Sequence, residues 1–281
     1  MHLFTLGVEE EFQIVDPQSG DLRSHVSELL ASSSPMLGDQ IKREMHQSIV
    51  EVGTKICADV SELREEIYRN RRELANAAER VGLAVAAAGT HPFSRWEDQI
   101  ISPGVRYDNI VEELQQLARS LLIFGLHVHV GLPDRSVMID LMNEVRYFLP
   151  HLLALSTSSP FWMGRDTGLK SYRTTIFRRF PRTGVPDHFD SWSEYENYIQ
   201  LLVDLHSIDD AKKIWWDVRP HPTFGTLEFR VCDVPTRPET AVMLGALVQA
   251  IVVKLYRLRI RNQGFRLYRR GLCVAPLRRG G

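Results

Sequence analysis

The chain has 281 residues, with 34 Lys and Arg against 35 Asp and Glu, a length that supports one large domain with a sizeable core and a charge balance that offers no global field to nucleic acid or an anionic membrane. Cys57, Cys232 and Cys273 are widely spaced without a Cys-x-x-Cys pair, which argues against a thiolate zinc site and fits a reducing, cytoplasmic compartment. No secretory leader pattern opens the chain, and no run reads as long and apolar enough to span a bilayer.

The first predicted strand runs from about Leu3 to Val15 and contains Gly7-Val8-Glu9-Glu10-Glu11-Phe12. Strand alternation puts Glu9 and Glu11 on one face and Val8, Glu10 and Phe12 on the other. Two carboxylates roughly 7 Å apart on one face repel unless a cation sits near them, so this face is a candidate divalent-metal site. A solvated edge strand with a charged face is the competing reading. After the turn signal Asp16 to Asp21, a second strand is predicted over Lys42 to Val52, with Glu51 on the face of Ile49 unless a bulge intervenes. Asp59 and Glu62 have capping-box spacing before a helix whose apolar stripe is Leu63, Ile67, Leu74, Ala78 and Val81 and which Gly82 ends. A short strand, Leu83 to Ala88, leads into the loop Gly89-Thr90-His91-Pro92-Phe93.

Asn109 to about Ser120 reads as an amphipathic helix and Leu122 to Leu132 as a strand, in which His127 and His129 oppose Leu126, Val128 and Val130. Asp134 to Leu155 is predicted as a long helix that Pro150 kinks or breaks. The loop-rich stretch Ser156 to Asp190 carries Arg165, Arg173, Arg178, Arg179 and Arg182. Ser193 and Glu196 have capping-box spacing before a helix to about His206. Strands follow at Lys213 to Arg219 and Thr226 to Val234, the second with Glu228 and Arg230 on one face and Leu227, Phe229 and Val231 on the other. Thr236-Arg237-Pro238-Glu239 is predicted to cap a last helix running to about Arg261. The pattern predicts an α+β domain, helices packed on one side of a largely antiparallel sheet.

Three strands thus carry a polar pair on one face: Glu9/Glu11, His127/His129 and Glu228/Arg230. A lone H-x-H is more often a satisfied buried pair than a ligand pair, but buried charges cost several kcal/mol each unless paired or metal-bound, and three such pairs reinforce one another. Oxygen-rich donors with an occasional imidazole suit Mg²⁺ or Mn²⁺ better than zinc, and magnesium usually shares its shell with phosphates. Neither a Walker loop nor a strand-linked Gly-x-Gly-x-x-Gly is present, so phosphates would fall to the metal and to arginines, with Arg173, Arg219 and Arg230 the candidates. For each arginine a structural ion pair is an equal alternative.

In order along the chain stand Gly7-Val8-Glu9-Glu10-Glu11-Phe12, Gly89-Thr90-His91-Pro92-Phe93, His127-Val128-His129-Val130-Gly131, Ala154-Leu155-Ser156-Thr157-Ser158-Ser159-Pro160-Phe161-Trp162, Ser171-Tyr172-Arg173, Trp215-Trp216-Asp217-Val218-Arg219-Pro220 and Thr226-Leu227-Glu228-Phe229-Arg230-Val231-Cys232-Asp233. Together they resemble the bacterial carboxylate-amine ligases, also called type-2 glutamate–cysteine ligases. The resemblance implies a glutamine synthetase-like curved antiparallel sheet around ATP and Mg²⁺, with helices on its outer face. It implies Glu9, Glu11, Glu51, His127 and Glu228 as metal ligands. Arg173 and Arg230 would face phosphate or a substrate carboxylate, with Arg219 and His129 as further nucleotide contacts. The implied reaction phosphorylates a carboxylate, glutamate in the family's assigned reaction, to an acyl phosphate that an amine, cysteine, then attacks. The implied partners are small amino-acid substrates rather than nucleic acid or membrane, and the basic C-terminus becomes the polar face of the last helix. A homodimer stays open.

Members of that family continue past Leu272 with a Glu-Asn-x-Trp-Arg-Ala-type segment. Here Cys273 to Gly281 fits neither that segment nor a helix. The expectation is a single catalytic domain over residues 1–272, incomplete at its C-terminus, followed by a disordered, non-family tail over 273–281. A phosphotransferase of the same fold, a catalytically impaired nucleotide-binding remnant and, more remotely, a metal hydrolase using the H-x-H are the alternatives.

Overall fold

Seven strands form the central sheet: β1 (Leu6–Val15), β2 (Ile41–Arg43), β3 (Ile49–Gly53), β4 (Ala84–Ala86), β5 (Gly125–Gly131), β6 (Val218–Pro220) and β7 (Thr226–Asp233). The structure is a computed structural model that describes residues 3–33 and 37–265, so the expected tail over 273–281 lies outside the described residues. Strand order is β6-β7-β5-β1-β3-β2, every pair is antiparallel, and β4 extends the β5 edge along the far end of β1.

One face of this sheet is apolar. Leu6 and Val8, with Leu126, Val128, Val130, Leu227, Phe229 and Val218, join one hydrophobic core with Leu63 and Ile67 of the helix Val60–Arg80, Leu141 and Met142 of the helix Met138–Val145, and Leu244 and Val248 of the helix Pro238–Arg259. Each such side chain contributes about 1.5–3 kcal/mol when taken out of water, which fixes the helices to this face. The other face is left to polar residues, as an α+β sheet covered on one side requires.

Several boundaries move, each for a local reason. Phe4 turns the chain at φ +61°, so β1 begins at Leu6 and Leu3 is exposed. Lys42 to Val52 is a hairpin rather than one strand, with Lys42 opposite Glu51. Asp59 caps its helix by accepting the Ser61 and Glu62 N–H groups, while Glu62 reaches back to the Ala58 N–H; Val81 follows the last turn at the surface instead of completing the stripe. Gln115, at φ +48°, splits the expected helix into Val105–Leu114 and Gln116–Arg119. The expected long helix breaks into Met138–Val145 and Leu149–Ser156, with Pro150 in the first turn of the second, where its missing N–H costs nothing. Ser191 rather than Ser193 caps Trp192–Asp204. Trp215–Trp216 leaves the main sheet to pair in parallel with Thr183–Gly184. Thr236 does not cap the last helix; its hydroxyl donates to the Ala87 carbonyl, and Pro238 opens the helix.

That last helix also corrects the reading of bilayer-length runs. At 22 residues Pro238–Arg259 is long and apolar enough to cross a membrane, yet its Leu244, Val248, Val252 and Leu255 are buried in the core against the sheet and its neighbouring helices. Glu10, the odd carboxylate on the apolar face of β1, is buried and paired with Arg71 at 2.6 Å, and Arg71 also donates to the Pro235 and Thr236 carbonyls. Removing one partner of a buried pair strands the other charge at a cost of about 3–5 kcal/mol. Glu10→Ala is therefore expected to lose stability of that order in urea unfolding while divalent-cation binding is unchanged; equal stability would contradict the pairing.

Candidate active site

Register turns separate sequence pairs into one wall. Glu9 lies opposite His127, Glu11 opposite Glu51, and Glu228 opposite both His129 and Arg219. Directly opposed residues on one face have Cβ atoms about 5 Å apart, so β3, β1, β5 and β7 present their polar side chains to a common space. This wall lines a cavity of about 600 Å³.

Three donor sets converge there: Glu9, His129 and Glu228; Glu9, Glu51 and His127; and Glu11, Glu44 and Glu51, with one ligand atom per residue in each set lying within 4.8 Å of the others. Glu9 and Glu51 each serve two sets. Glu44 was not singled out in the sequence. It sits just past β2, its carboxylate accepting the Met45 N–H, and the period-two alternation that puts Lys42 on the site face would have carried it there too.

Burial raises the Glu51 carboxyl well above its ordinary value, and Glu9, Glu44 and Glu11 push it further. Glu11 is pushed up to about 7, first by burial and then by Glu44, against the pull of Arg173. Glu44 is raised by burial too. Burial drives His127 down to about 4, with Arg230 adding to the effect, so its ring is neutral at pH 7. Its Nδ1 lies 3.4 Å from Glu9 Oε2, and the buried Nε2 has no hydrogen-bond partner among the described residues. A neutral imidazole aimed at carboxylates that repel one another has the donor chemistry of a hard divalent-cation site, and the residues present fit that ion.

A pH dependence follows for the metal-free protein. Glu11, Glu44 and Glu51 hold protons in the fold that the unfolded chain has released above its ordinary 4.5, so their contribution falls as pH rises through the folded values. His46, His127 and His221, each lowered to about 4 from 6.5, act in the opposite sense only below 6.5. Melting temperature in EDTA is expected to fall between about pH 6.5 and 8, and millimolar Mg²⁺ to suppress the fall. A flat metal-free profile would contradict this account.

The three arginines differ. Arg219 is committed: its Nε donates to Glu228 at 2.7 Å and its Nη1 to the Lys212 carbonyl at 3.0 Å. Arg230 donates to the other Glu228 oxygen, and with Arg219 it holds that carboxyl well below the usual range although burial alone would raise it. Arg173 begins the helix Arg173–Phe177, is buried, and touches the Arg230 carbonyl at 3.3 Å. Both Arg173 and Arg230 keep a buried Nε without a hydrogen-bond partner among the described residues. His129 bonds Thr226 at 3.0 Å through Nδ1 and approaches Glu9 at 3.5 Å through Nε2.

Arg173 is set by a knot around Asp233. This buried carboxylate accepts the Ser159 and Ser171 hydroxyls at 2.6 and 2.8 Å and the Ser158 N–H at 2.9 Å, and Ser159 Oγ in turn accepts the Arg173 N–H. Asp233, Ser159 and Ser171 all stand within the sequence motifs, but residues 62 to 75 positions apart carry no local signal that they meet.

The sequence profile of glutamate-cysteine ligase family 2 matches residues 5–264. A Herpetosiphon aurantiacus protein provisionally named glutamate–cysteine ligase 2 is 57% identical over 269 residues, covering 96% of this chain and 70% of its own, and a Chloroflexus aurantiacus counterpart is 58% identical with 96% and 69% covered. Among solved structures, the glutamate–cysteine ligase of Francisella tularensis in complex with AMP superposes with a TM-score of 0.67 at 13% identity, over 97% of this chain and 69% of that one. The bifunctional glutathione synthetase of Pasteurella multocida gives 0.66 at 15% identity, over 89% of this chain and 39% of that one. At such identities the two structures speak for the fold.

Fold and relatives together define an enzyme class, the carboxylate–amine ligases. The chain belongs to glutamate–cysteine ligase family 2, and the resemblance carried by its motifs holds.

Proposed function

We propose that this chain uses ATP to activate a substrate carboxylate, that of glutamate, as an acyl phosphate and joins it to an amine, that of cysteine, releasing phosphate and forming an amide. The observation that carries the reading is the wall itself: seven acidic and imidazole donors, Glu9, Glu11, Glu44, Glu51, His127, His129 and Glu228, beside two guanidiniums whose Nε–H has no partner among the described residues. Glu9, Glu11, Glu44, Glu51, His127 and Glu228 would hold divalent cations, Mg²⁺ or Mn²⁺. Bound there, the cations supply neutralisation of the triphosphate and of the charge that builds on the transferring oxygens.

The chain's own residues supply the rest. Arg230 and Arg173 present donors to phosphate and carboxylate oxygens from fixed positions, so no reorganisation is needed as charge develops. Glu228 keeps Arg230 oriented, and Arg219 keeps Glu228 ionised. Buried apolar residues of the cavity lining, Ile123, Phe177 and Phe180, keep water from an activated carboxylate. The family name and the AMP bound to the Francisella enzyme favour this assignment of nucleotide and product.

The test is Mg²⁺-dependent phosphate release over a panel of carboxylates and amines, with products weighed by mass spectrometry. A ligase needs both substrates before stable product appears. Phosphate transfer to one substrate alone would replace this reading with a phosphotransferase, and nucleotide binding without turnover would replace it with a remnant.

A further inference from the structure

The turn joining β6 to β7 lines the same cavity through His221, Thr223 and Phe224. His221 N–H donates to the Thr226 carbonyl at 2.8 Å, and the His221 ring locks the turn from within: its Nδ1 accepts the Thr223 N–H at 3.2 Å and the Phe224 N–H at 3.1 Å. A Nδ1 that accepts leaves the neutral ring's proton on Nε2, so the imidazole is fixed in both plane and tautomer.

Phe224 lies flat on that imidazole, with centroids 4.1 Å apart and planes within 5°, yet it is 61% exposed. Burial therefore explains little of its position, and a phenyl ring stacked on one side offers its other face. Both rings meet His129 edge-on, at 5.5 and 6.1 Å, and His129 stands 3.5 Å from Glu9. The flat surface is thus one imidazole away from the wall that would hold cations and phosphate.

A ligand held through its phosphates by Arg230 and by cations on Glu9 and Glu228 would reach along this one cavity to the turn, whose His221, Thr223 and Phe224 also line it. What it meets there is a flat, uncharged aromatic face with no base-reading amide beside it among the residues that lock the turn. We infer that Phe224, backed by His221, is the platform on which the nucleobase of the nucleoside triphosphate stacks. This rests on the nucleotide reading above and adds to it a base-binding element. Stacking is tolerant of base identity because every base has a π-face, so the platform adds affinity without choosing between adenine and guanine.

The experiment is calorimetry on the full chain with Mg²⁺, titrating ATP, GTP and tripolyphosphate into the parent protein, Phe224→Ala and Phe224→Trp. The expected result is that Phe224→Ala weakens ATP and GTP about tenfold or more, leaves tripolyphosphate binding and the melting temperature unchanged, and is rescued by Phe224→Trp. Parent-like ATP binding by Phe224→Ala overturns the inference, as does an equal loss for ATP and tripolyphosphate. A parent protein that binds ATP no better than tripolyphosphate overturns the platform and leaves the ligase reading intact. A parent protein that binds neither overturns both.

Discussion

Glu9→Gln is expected to lower Mg²⁺-dependent turnover by about 100-fold or more while the protein stays folded. Glu9 belongs to two of the three donor sets, and Gln preserves its shape and its contact with His127 while removing the charge that a cation needs. Burial raises the Glu9 carboxyl, but His127 and His129 hold it well below its ordinary value, so the metal-free variant loses those charge-assisted contacts and is expected to melt slightly below the parent at neutral pH. A large loss of function beside a small loss of stability separates a ligand from a structural residue. Turnover over a Mg²⁺ titration and thermal melts in EDTA provide the two readouts. Unchanged metal dependence in both Glu9→Gln and Glu11→Gln would falsify the cation assignment.

Much of this wall was legible because a strand's side-chain period of two needs no tertiary information. Glu9 with Glu11, and His127 with His129, share faces whatever the sheet order is. What sequence could not supply was register, and register decides roles. Arg219 and Arg230 are both arginines on strands near one glutamate, but Arg219 faces Glu228 across β6 and β7 and is consumed there, while Arg230 retains a buried Nε–H. Glu44 was hidden because Lys42 to Val52 read as one strand, so the turn that returns β3 beside β2 and gathers Glu44 with Glu11 and Glu51 was not foreseen.

A bulge hid the rest. Between Phe229 and Cys232 the β7 register slips by one residue against β5. Glu228 before the slip and Arg230 within it both line the site; after it, Cys232 packs in the apolar core and Asp233 lies opposite Gly125, where it gathers Ser158, Ser159 and Ser171. Strict alternation would assign Cys232 and Asp233 the other way round. An extra residue in one strand reverses the faces that follow it, and no composition signal marks it here. The same slip lets β7 carry both the glutamate that orients Arg230 and the aspartate that anchors the start of the Arg173 helix.

Gly125 is where that arrangement is most sensitive. Its N–H donates to Glu11 Oε2 at 2.5 Å, and a Cβ built on it would lie 2.3 Å from Nη2 of Arg173, closer than any real contact allows. The guanidinium is buried, so it has little room to step aside. Gly125→Ala is expected to displace the Arg173 fork and lower kcat/KM by about 100-fold or more, and Arg173→Lys, which keeps the charge but loses the planar fork, to do the same. Because both act through one guanidinium, the double variant is expected to be no worse than either single one, a non-additivity that independent lesions would not give. Steady-state kinetics on the three variants, with melting temperatures to exclude unfolding, decide the matter. Additive losses would mean that Gly125 acts through Glu11 instead, and wild-type turnover in Arg173→Lys would remove this arginine from the reaction.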